Sequence, residues 1–247
     1  MSKYKVERIL NIPVDVMTME DVKQDLVSNE AVGDKLTLTS VNPQIVLMAE
    51  ENDTVKTFIE NSTHRIADGI GLVKVSGWTK GDIKERVTGF DLMQEVLSYA
   101  DEHHKNVFLY GSKPEVVAQA ATNIETDYPE LNLVGWIDGY TKLSDKEIVQ
   151  RMNEKEADIV FVALGSPRQE EWLSRNMDQL TATIFQTIGG CLDVLSGATK
   201  RAPDIFIKLN LEWLYRSVSN PKRLYRIFQL PVFVAKSLSW HRKNGKH

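Results

Sequence analysis

The sequence predicts an α/β protein with a Rossmann-like, mostly parallel sheet that carries helices on both faces. Two observations predict this class. Short runs that are nearly all apolar, as in buried parallel strands, alternate with segments of helical periodicity. Three of the runs lead through a glycine turn into a helix start: NVFLYGSKPEVV, DIVFVALGSPRQEEW and TIFQTIGGCLDV. Because such sheets bind ligands beyond the carboxyl ends of their strands, these turns are candidate binding segments.

The elements before these three units are predicted from local signals. LTLTSV (36–41) is typical of a strand, and Asn42 with Pro43 then forms an N-cap and first helical residue. HRIA (64–67) predicts the next strand. Thr88 is the expected N-cap of a long amphipathic helix, in which apolar residues recur at Phe90, Met93, Leu97 and Ala100.

The glycine turns at Gly165 and at Gly189–Gly190 are predicted to contact a ligand. Glycine lets a ligand approach the backbone closely, and the N-terminus of the following helix favours a phosphate. Neither G-x-G-x-x-G nor G-x-x-x-x-G-K-[ST] occurs, which disfavours a dinucleotide dehydrogenase and a P-loop enzyme.

The cysteine content and hydropathy favour a cytoplasmic protein. Cys191 is the single cysteine, so no internal disulfide forms and a reducing compartment is expected. The N-terminal segment has scattered charges and does not resemble a signal peptide. No run of about 18 apolar residues is present, so we expect no transmembrane helix.

The charge is distributed unevenly, which predicts a catalytic domain over 1–204 and a helical appendage over 205–247. The appendage has nine Lys or Arg against one acid, whereas residues 1–204 carry a net charge of −12. Such a basic, aromatic-rich segment indicates an anionic partner, either a membrane surface or nucleic acid, or else a solvated helix pair that closes the fold. The acidic body and the lack of a known motif disfavour nucleic acid. Pro221 and Pro231 are expected to divide the appendage into short helices.

Asp68 is the main candidate for chemistry. It lies in RIADGIGLV, directly after a predicted strand and before Gly69 and Gly71. An Asp-Gly pair is most often only a turn, but the carboxyl end of a strand is where this kind of sheet presents ligands. Ser40 and Asn42 end the preceding strand in the same way, and Asn42 could serve only as a helix cap.

Four more polar residues are either functional or have only an ordinary structural or solvent-exposed position. Arg86 precedes the long helix and is either exposed or functional. Arg168 and Gln169 occupy a first helical turn, where Gln169 contacts either solvent or substrate. Asp193 is a helix-start acid or a substrate ligand. No D-x-D triplet and no zinc spacing are present, so we expect no metal and no cofactor.

Seven segments occur in an order that spans nearly the whole chain: SVNPQIV, ADGIGLV, ERVTGFDLM, VFLYGSKPEVV, FVALGSPRQEEW, IGGCLDVLSGATKRAP and LNLEWLYRSVSNPKRLYRIFQLP. Together they resemble the WecG/TagA/CpsF family of bacterial glycosyltransferases. The resemblance implies transfer of N-acetylmannosamine (ManNAc) from UDP-ManNAc to undecaprenyl-diphosphate-GlcNAc, which builds the linkage unit of wall teichoic acid.

The resemblance also implies roles for individual residues. Asp68 matches the family's proposed general base, and Ser40 matches a hydroxyl residue that lines the active site. Arg86 and Gln169 match functional positions, and three arginines of the appendage are implied to reach the active site: Arg216, Arg223 and Arg226. The remaining predicted substrate-binding residues are Asn42, Gly165, Arg168, Gly189, Gly190 and Asp193. The acceptor implies a protein bound peripherally to the inner face of the cell membrane.

Two alternatives stay open at this point. One is a related transferase that uses another UDP sugar, such as UDP-N-acetylmannosaminuronic acid. The other is a membrane-docked nucleotide- or lipid-binding module without catalysis. The sequence also leaves open whether the chain forms a homo-oligomer.

Overall fold

A computed structural model of the chain describes residues 3–209, 211–218 and 224–244, without the side chains of residues 204, 208, 216 and 226. The strands are β1 (Val6–Ile9), β2 (Ile12–Asp15), β3 (Leu36–Val41), β4 (His64–Ala67), β5 (Asn106–Gly111), β6 (Asn132–Ile137), β7 (Ile159–Ala163) and β8 (Ile184–Thr187). The first helices are α1 (Met19–Val32), α2 (Pro43–Ala49), α3 (Asp53–Asn61), α4 (Ile70–Trp78), α5 (Gly89–Glu102) and α6 (Pro114–Asp127). They are followed by α7 (Asp145–Glu154), α8 (Arg168–Asn176), α9 (Cys191–Leu195), α10 (Asp204–Lys208), α11 (Glu212–Val218) and α12 (Tyr225–Asn244).

The main sheet has six parallel strands in the order β4-β3-β8-β7-β5-β6. Its strands alternate their apolar side chains between two faces. In β7, Ile159 and Phe161 face one core cluster, whereas Val160 and Val162 face another. Helices α1, α5, α6 and α9 contribute to the first cluster, and α7 and α8 contribute to the second. The predicted parallel α/β architecture is therefore confirmed.

The helix caps expected from the sequence are present on both sides of β4. The Asn42 side chain accepts hydrogen bonds from the backbone N–H groups of Gln44 and Ile45 at 3.0 and 3.1 Å. Thr88 accepts from the backbone N–H of Asp91 at 3.1 Å and so caps α5. These caps fix where α2 and α5 begin, directly beyond the carboxyl ends of the strands.

A small antiparallel hairpin, β1–β2, precedes the main sheet and was not expected from the sequence. It is fastened to β4 by a buried ion pair in which the Arg65 guanidinium binds both carboxylate oxygens of Asp15, at 2.6 and 3.0 Å. The backbone N–H of Arg65 donates to the same carboxylate at 2.7 Å. Removing one partner of such a pair typically costs about 3–5 kcal/mol.

Helix α12 packs against α2 and α4, and this packing corrects one expectation. Pro231 lies inside the continuous helix rather than at a break. Phe233 of the same helix is fully buried in a core cluster with residues of α2 and α4. Leu230 packs closely over Gly71, where a β-carbon would lie 2.8 Å from Leu230 Cδ1. Burial of this face offsets the roughly 3 kcal/mol that an internal proline costs a helix. Pro221 lies outside the described residues.

No helix within the described ranges has the length and apolar character that crossing a membrane requires.

Candidate active site

A cleft of about 1080 Å³ opens at the carboxyl ends of β3, β4, β5, β7 and β8. This is the edge at which doubly wound sheets bind ligands. Ten of the predicted site residues line the cleft: Ser40, Asn42, Asp68, Arg86, Gly165, Arg168, Gln169, Gly189, Gly190 and Asp193. The structure thus brings together residues that lie more than 150 positions apart in the sequence.

One end of the cleft, formed by Ser40, Asp68, Arg86 and Gly89, is called the aspartate end below. The backbone N–H of Asp68 donates to the carbonyl of Val41 at 2.7 Å, which holds the aspartate at the exit of β4. Val87 donates to the carbonyl of Ala67 at 3.0 Å, so the segment that carries Arg86 runs beside the same exit. Backbone hydrogen bonds therefore bring the segments that carry Asp68 and Arg86 together beside the exit of β4.

Gly89, the first residue of α5, leaves room for the polar groups of the aspartate end. A β-carbon at this position would lie 3.0 Å from Ser40 Oγ and 3.5 Å from Asp68 Oδ2. The hydroxyl and the carboxylate therefore face the same small space. Ser40 Oγ is buried and has no hydrogen-bond partner within the described part of the chain. An unsatisfied buried hydroxyl costs free energy, which is recovered when a ligand supplies the partner.

Arg86 is partly buried on the cleft wall. Its guanidinium makes no hydrogen bond or ion pair with any residue in the described ranges. A guanidinium presents five N–H donors in a fixed fork that matches phosphate oxygens. Arg86 can therefore bind an anion in the cleft without first breaking an internal contact.

A second group, formed by Ser166, Gln169 and Gly189 beyond β7 and β8, is called the glutamine end. Gln169 is 5% exposed, so little of its side chain contacts solvent, contrary to one of the two interpretations of its position. Its Oε1 accepts from the backbone N–H of Gly189 at 3.2 Å, and its Nε2 donates to Glu170 Oε1 at 2.8 Å. Gln169 thus ties the turn after β7 to the turn after β8.

No neighbouring side chain or backbone segment that the structure describes covers Gly165 and Gly189 in these two turns. Gly165 and Gly189 both have positive φ, at 74° and 50°, and no atom lies within 4 Å of the position that a β-carbon would take. A ligand can therefore contact the backbone there, as the glycine turns predict. Arg168 begins α8 at the same end, is exposed, and donates to the carbonyl of Gly139 at 3.2 Å.

Three features of the cleft were missed by the sequence analysis. Lys113 and Tyr140 line the wall beyond β5 and β6. Gln186 is fully buried in the central strand β8 and donates to the carbonyl of Gly89 at 3.2 Å. The glutamine in the strand IFQT is a sequence signal for this hydrogen bond, because a buried amide needs a partner.

The appendage forms the remaining wall. Residues of α11 and α12 line the cleft, among them Trp213, Ser217, Tyr225, Phe228 and Lys236. Lys236 forms an ion pair with Glu50 at 2.7 Å, which joins α12 to the end of α2. Of the predicted appendage arginines, Arg223 lies outside the described residues, and so do the side chains of Arg216 and Arg226.

Within residues 3–209, 211–218 and 224–244, no three or more His, Cys, Asp or Glu side chains form a group that could hold a metal ion.

A parallel α/β sheet with a cleft at the carboxyl ends of its strands is the arrangement of doubly wound ligand-binding proteins. The sequence pattern of the Glycosyl transferase WecG/TagA/CpsF family matches residues 7–247, and the chain belongs to this family. N-acetylglucosaminyldiphosphoundecaprenol N-acetyl-beta-D-mannosaminyltransferase from Staphylococcus aureus (strain MW2) is 35% identical over 241 residues, which cover 96% of this chain and 94% of the relative. The protein of the same name from strain MRSA252 is 34% identical over the same shares.

Proposed function

We propose that this chain transfers N-acetylmannosamine from UDP-ManNAc to the 4-hydroxyl of GlcNAc on diphospho-undecaprenol. The observation that carries the proposal is the aspartate end of the cleft, where Ser40 and Asp68 face one space and Arg86 lines the same cleft, in a member of this glycosyltransferase family. The names of the Staphylococcus aureus relatives, which match nearly the whole chain, support the choice of sugar and acceptor.

Asp68 is the proposed general base. As the acceptor's 4-hydroxyl oxygen forms its bond to C1 of ManNAc, the bond between C1 and the diphosphate oxygen breaks. The hydroxyl proton passes to the Asp68 carboxylate, and UDP leaves with the bonding electron pair. A single displacement inverts the α-linked donor to a β-linked product. A positioned base of this kind typically contributes about 10²–10⁴-fold in rate.

Charge on the departing UDP needs compensation. We assign this role to Arg86 at the aspartate end, and to Arg168 with the open glycine turns at Gly165 and Gly189. Fixed cationic and N–H donors aimed at a developing negative charge are among the strongest sources of rate enhancement. The appendage arginines Arg216, Arg223 and Arg226 are proposed to add further positive charge. This arrangement makes the proposed reaction independent of a divalent metal.

The appendage, residues 205–247, is also proposed to dock the protein on the anionic inner face of the membrane. Its net charge of +8 can attract anionic lipid at roughly 1 kcal/mol per basic residue close to the surface. Large exposed apolar side chains supply area for insertion: Ile205, Leu209, Val218, Leu224, Tyr225, Phe228 and Val232. Tyr225, Phe228 and Val232 also line the cleft, which places an apolar wall next to the proposed site of a lipid-linked acceptor.

The reaction is tested by a donor screen in which purified protein receives several UDP sugars and a short-chain lipid-diphosphate-GlcNAc. We expect release of UDP and formation of a disaccharide-lipid with UDP-ManNAc above all other donors. Preference for UDP-N-acetylmannosaminuronic acid would instead assign the chain to the related transferase. Absence of turnover with every donor would contradict the proposed function.

Membrane docking is tested by flotation with anionic vesicles. Val218 is the last residue of α11 and is 62% exposed, whereas Val32 is the last residue of α1 and is 66% exposed. Val218→Asp should weaken vesicle binding, and Val32→Asp, a matched change on the catalytic domain, should not. Equal binding by both variants and the unchanged protein would contradict docking through the appendage.

A further inference from the structure

Glu170 is a buried carboxyl group that the proposed reaction does not use. It lies in the first turn of α8, next to Gln169, and is 0% exposed. Its Oε1 accepts from Gln169 Nε2 and from Ser166 Oγ, both at 2.8 Å. Its Oε2 is buried without a hydrogen-bond partner in the described part of the chain. Glu170 has no cation beside it in the described ranges, so its burial is not compensated by an ion pair.

Stability alone does not account for a carboxyl group at this position. Burial raises the pKa of Glu170, which reflects the free energy needed to keep a charge in this environment. An apolar side chain of similar volume avoids that desolvation and the partnerless oxygen. The group therefore has a role that an apolar residue cannot perform.

That role follows from the two polar atoms of Gln169. An amide can turn over and exchange its oxygen with its nitrogen at almost no cost in shape, so its partners decide its orientation. Glu170 Oε1 and Ser166 Oγ lie on one side of the amide, and the backbone N–H of Gly189 lies on the other. An acceptor at Glu170 holds the NH₂ group of Gln169 and thereby turns its oxygen towards Gly189.

We propose that Glu170 is a positioning residue that, through Gln169, holds the Gly189 turn in place beside the Gly165 turn. Gly165 and Gly189 are both open towards ligand, and Gln169 joins their two segments. The separation of the two turns sets the width of the proposed donor site. The effect on catalysis rests on the proposed function, whereas the effect on the Gly189 turn does not.

The test compares Glu170→Met, Glu170→Gln and the control Glu171→Gln in the full-length protein. Methionine has a similar shape and no acceptor, whereas glutamine can keep an oxygen facing Gln169. Glu171 shares the first turn of α8 but makes no side-chain hydrogen bond to a described residue. Two quantities are measured: hydrogen exchange of the Gly189 amide by NMR, and kcat and KM for UDP-ManNAc. Thermal unfolding shows that each variant is folded.

We expect Glu170→Met to remain folded, because relief from burying a carboxyl group offsets the loss of an acceptor for Gln169 and Ser166. Its Gly189 amide should nevertheless exchange about tenfold faster, and the KM for donor should rise by about the same factor, since one buried amide loses its partner. The Gly189 exchange rate and the KM of Glu170→Gln should be closer to those of the unchanged protein. Both quantities should be unchanged in Glu171→Gln. The double variant Gln169→Met with Glu170→Met should change the Gly189 exchange rate and the KM no more than Gln169→Met alone does, because the two residues act through one contact.

Unchanged Gly189 exchange in Glu170→Met would overturn the proposal. So would a double variant in which the effects of the two single changes on exchange and KM add up. If Glu170→Met does not fold, Glu170→Gln decides the question by the same exchange measurement together with its double variant. If the unchanged protein transfers no sugar, the proposed function fails, and the Gly189 exchange rates still decide whether Glu170 positions the turn.

Discussion

The two ends of the cleft satisfy their polar groups in different ways. At the aspartate end, Ser40 Oγ and the Arg86 guanidinium have no internal partner within the described ranges. At the glutamine end, Gln169 uses both polar atoms within the protein, on Gly189 and Glu170. The first end therefore has buried or partly buried side chains available for a substrate, whereas the second offers open glycine turns and the exposed Arg168. This difference supports the proposal that chemistry takes place at the aspartate end and that the glutamine end shapes the donor site.

The largest expected effect comes from the aspartate end. Asp68→Asn keeps the shape of the side chain but removes its basicity, so we expect turnover to fall about 10²–10⁴-fold. The measurement is kcat for UDP-ManNAc with lipid acceptor, alongside thermal unfolding. A folded variant that keeps a rate within a few-fold of the unchanged protein would mean that Asp68 is only a turn residue.

Arg86→Met should have the next largest effect. Loss of one preorganised donor to developing charge typically costs about 10²–10³-fold in kcat. Arg151, an exposed arginine of α7 away from the cleft, provides the control Arg151→Met, for which we expect no change. A similar kcat in both variants would remove Arg86 from the proposed mechanism.

Gly89→Ala tests the space shared by Ser40 and Asp68. The new methyl group would lie 3.0 Å from Ser40 Oγ, so one of the two groups must move. Small displacements of reacting groups are costly, and we expect kcat to fall about tenfold. Gly77→Ala is the matched control, because no atom lies within 4 Å of its new β-carbon. Normal kcat in Gly89→Ala would show that the reaction does not use this space.

The smallest expected effect is that of metal removal. Because the proposed charge compensation uses arginines and backbone donors, excess EDTA should leave kcat unchanged. Loss of activity in EDTA, followed by rescue with Mg²⁺ or Mn²⁺, would require a different account of the diphosphate site.

The fold was largely predictable because its strands are bounded by strong local signals. The strands at 36–41 and 64–67 and the caps Asn42 and Thr88 occur as expected. The β1–β2 hairpin was missed because β2 contains Pro13, and a proline within a short run argues against a strand. Pro231 was misjudged because the tertiary contacts of Phe233 and Leu230, which are not visible in local sequence, keep α12 continuous.

The site was only partly predictable. Asp68, Gly165 and Gly189 follow predicted strands, and the topology of a parallel sheet brings such strand ends to one edge. The partners of Gln169 could not be inferred from sequence, since the contact with Gly189 depends on the packing of β7 beside β8. Glu170 resembles an ordinary helix-start acid in the sequence, and only its burial sets it apart.

The most direct test of this division of roles is the affinity of Asp68→Asn for UDP, measured by titration calorimetry. If Asp68 serves as the base and does not itself hold UDP, the variant should lose turnover and still bind UDP within about twofold of the unchanged protein. Loss of UDP binding in folded Asp68→Asn, together with unaltered UDP binding in Gln169→Met, would reverse the assignment of the two ends.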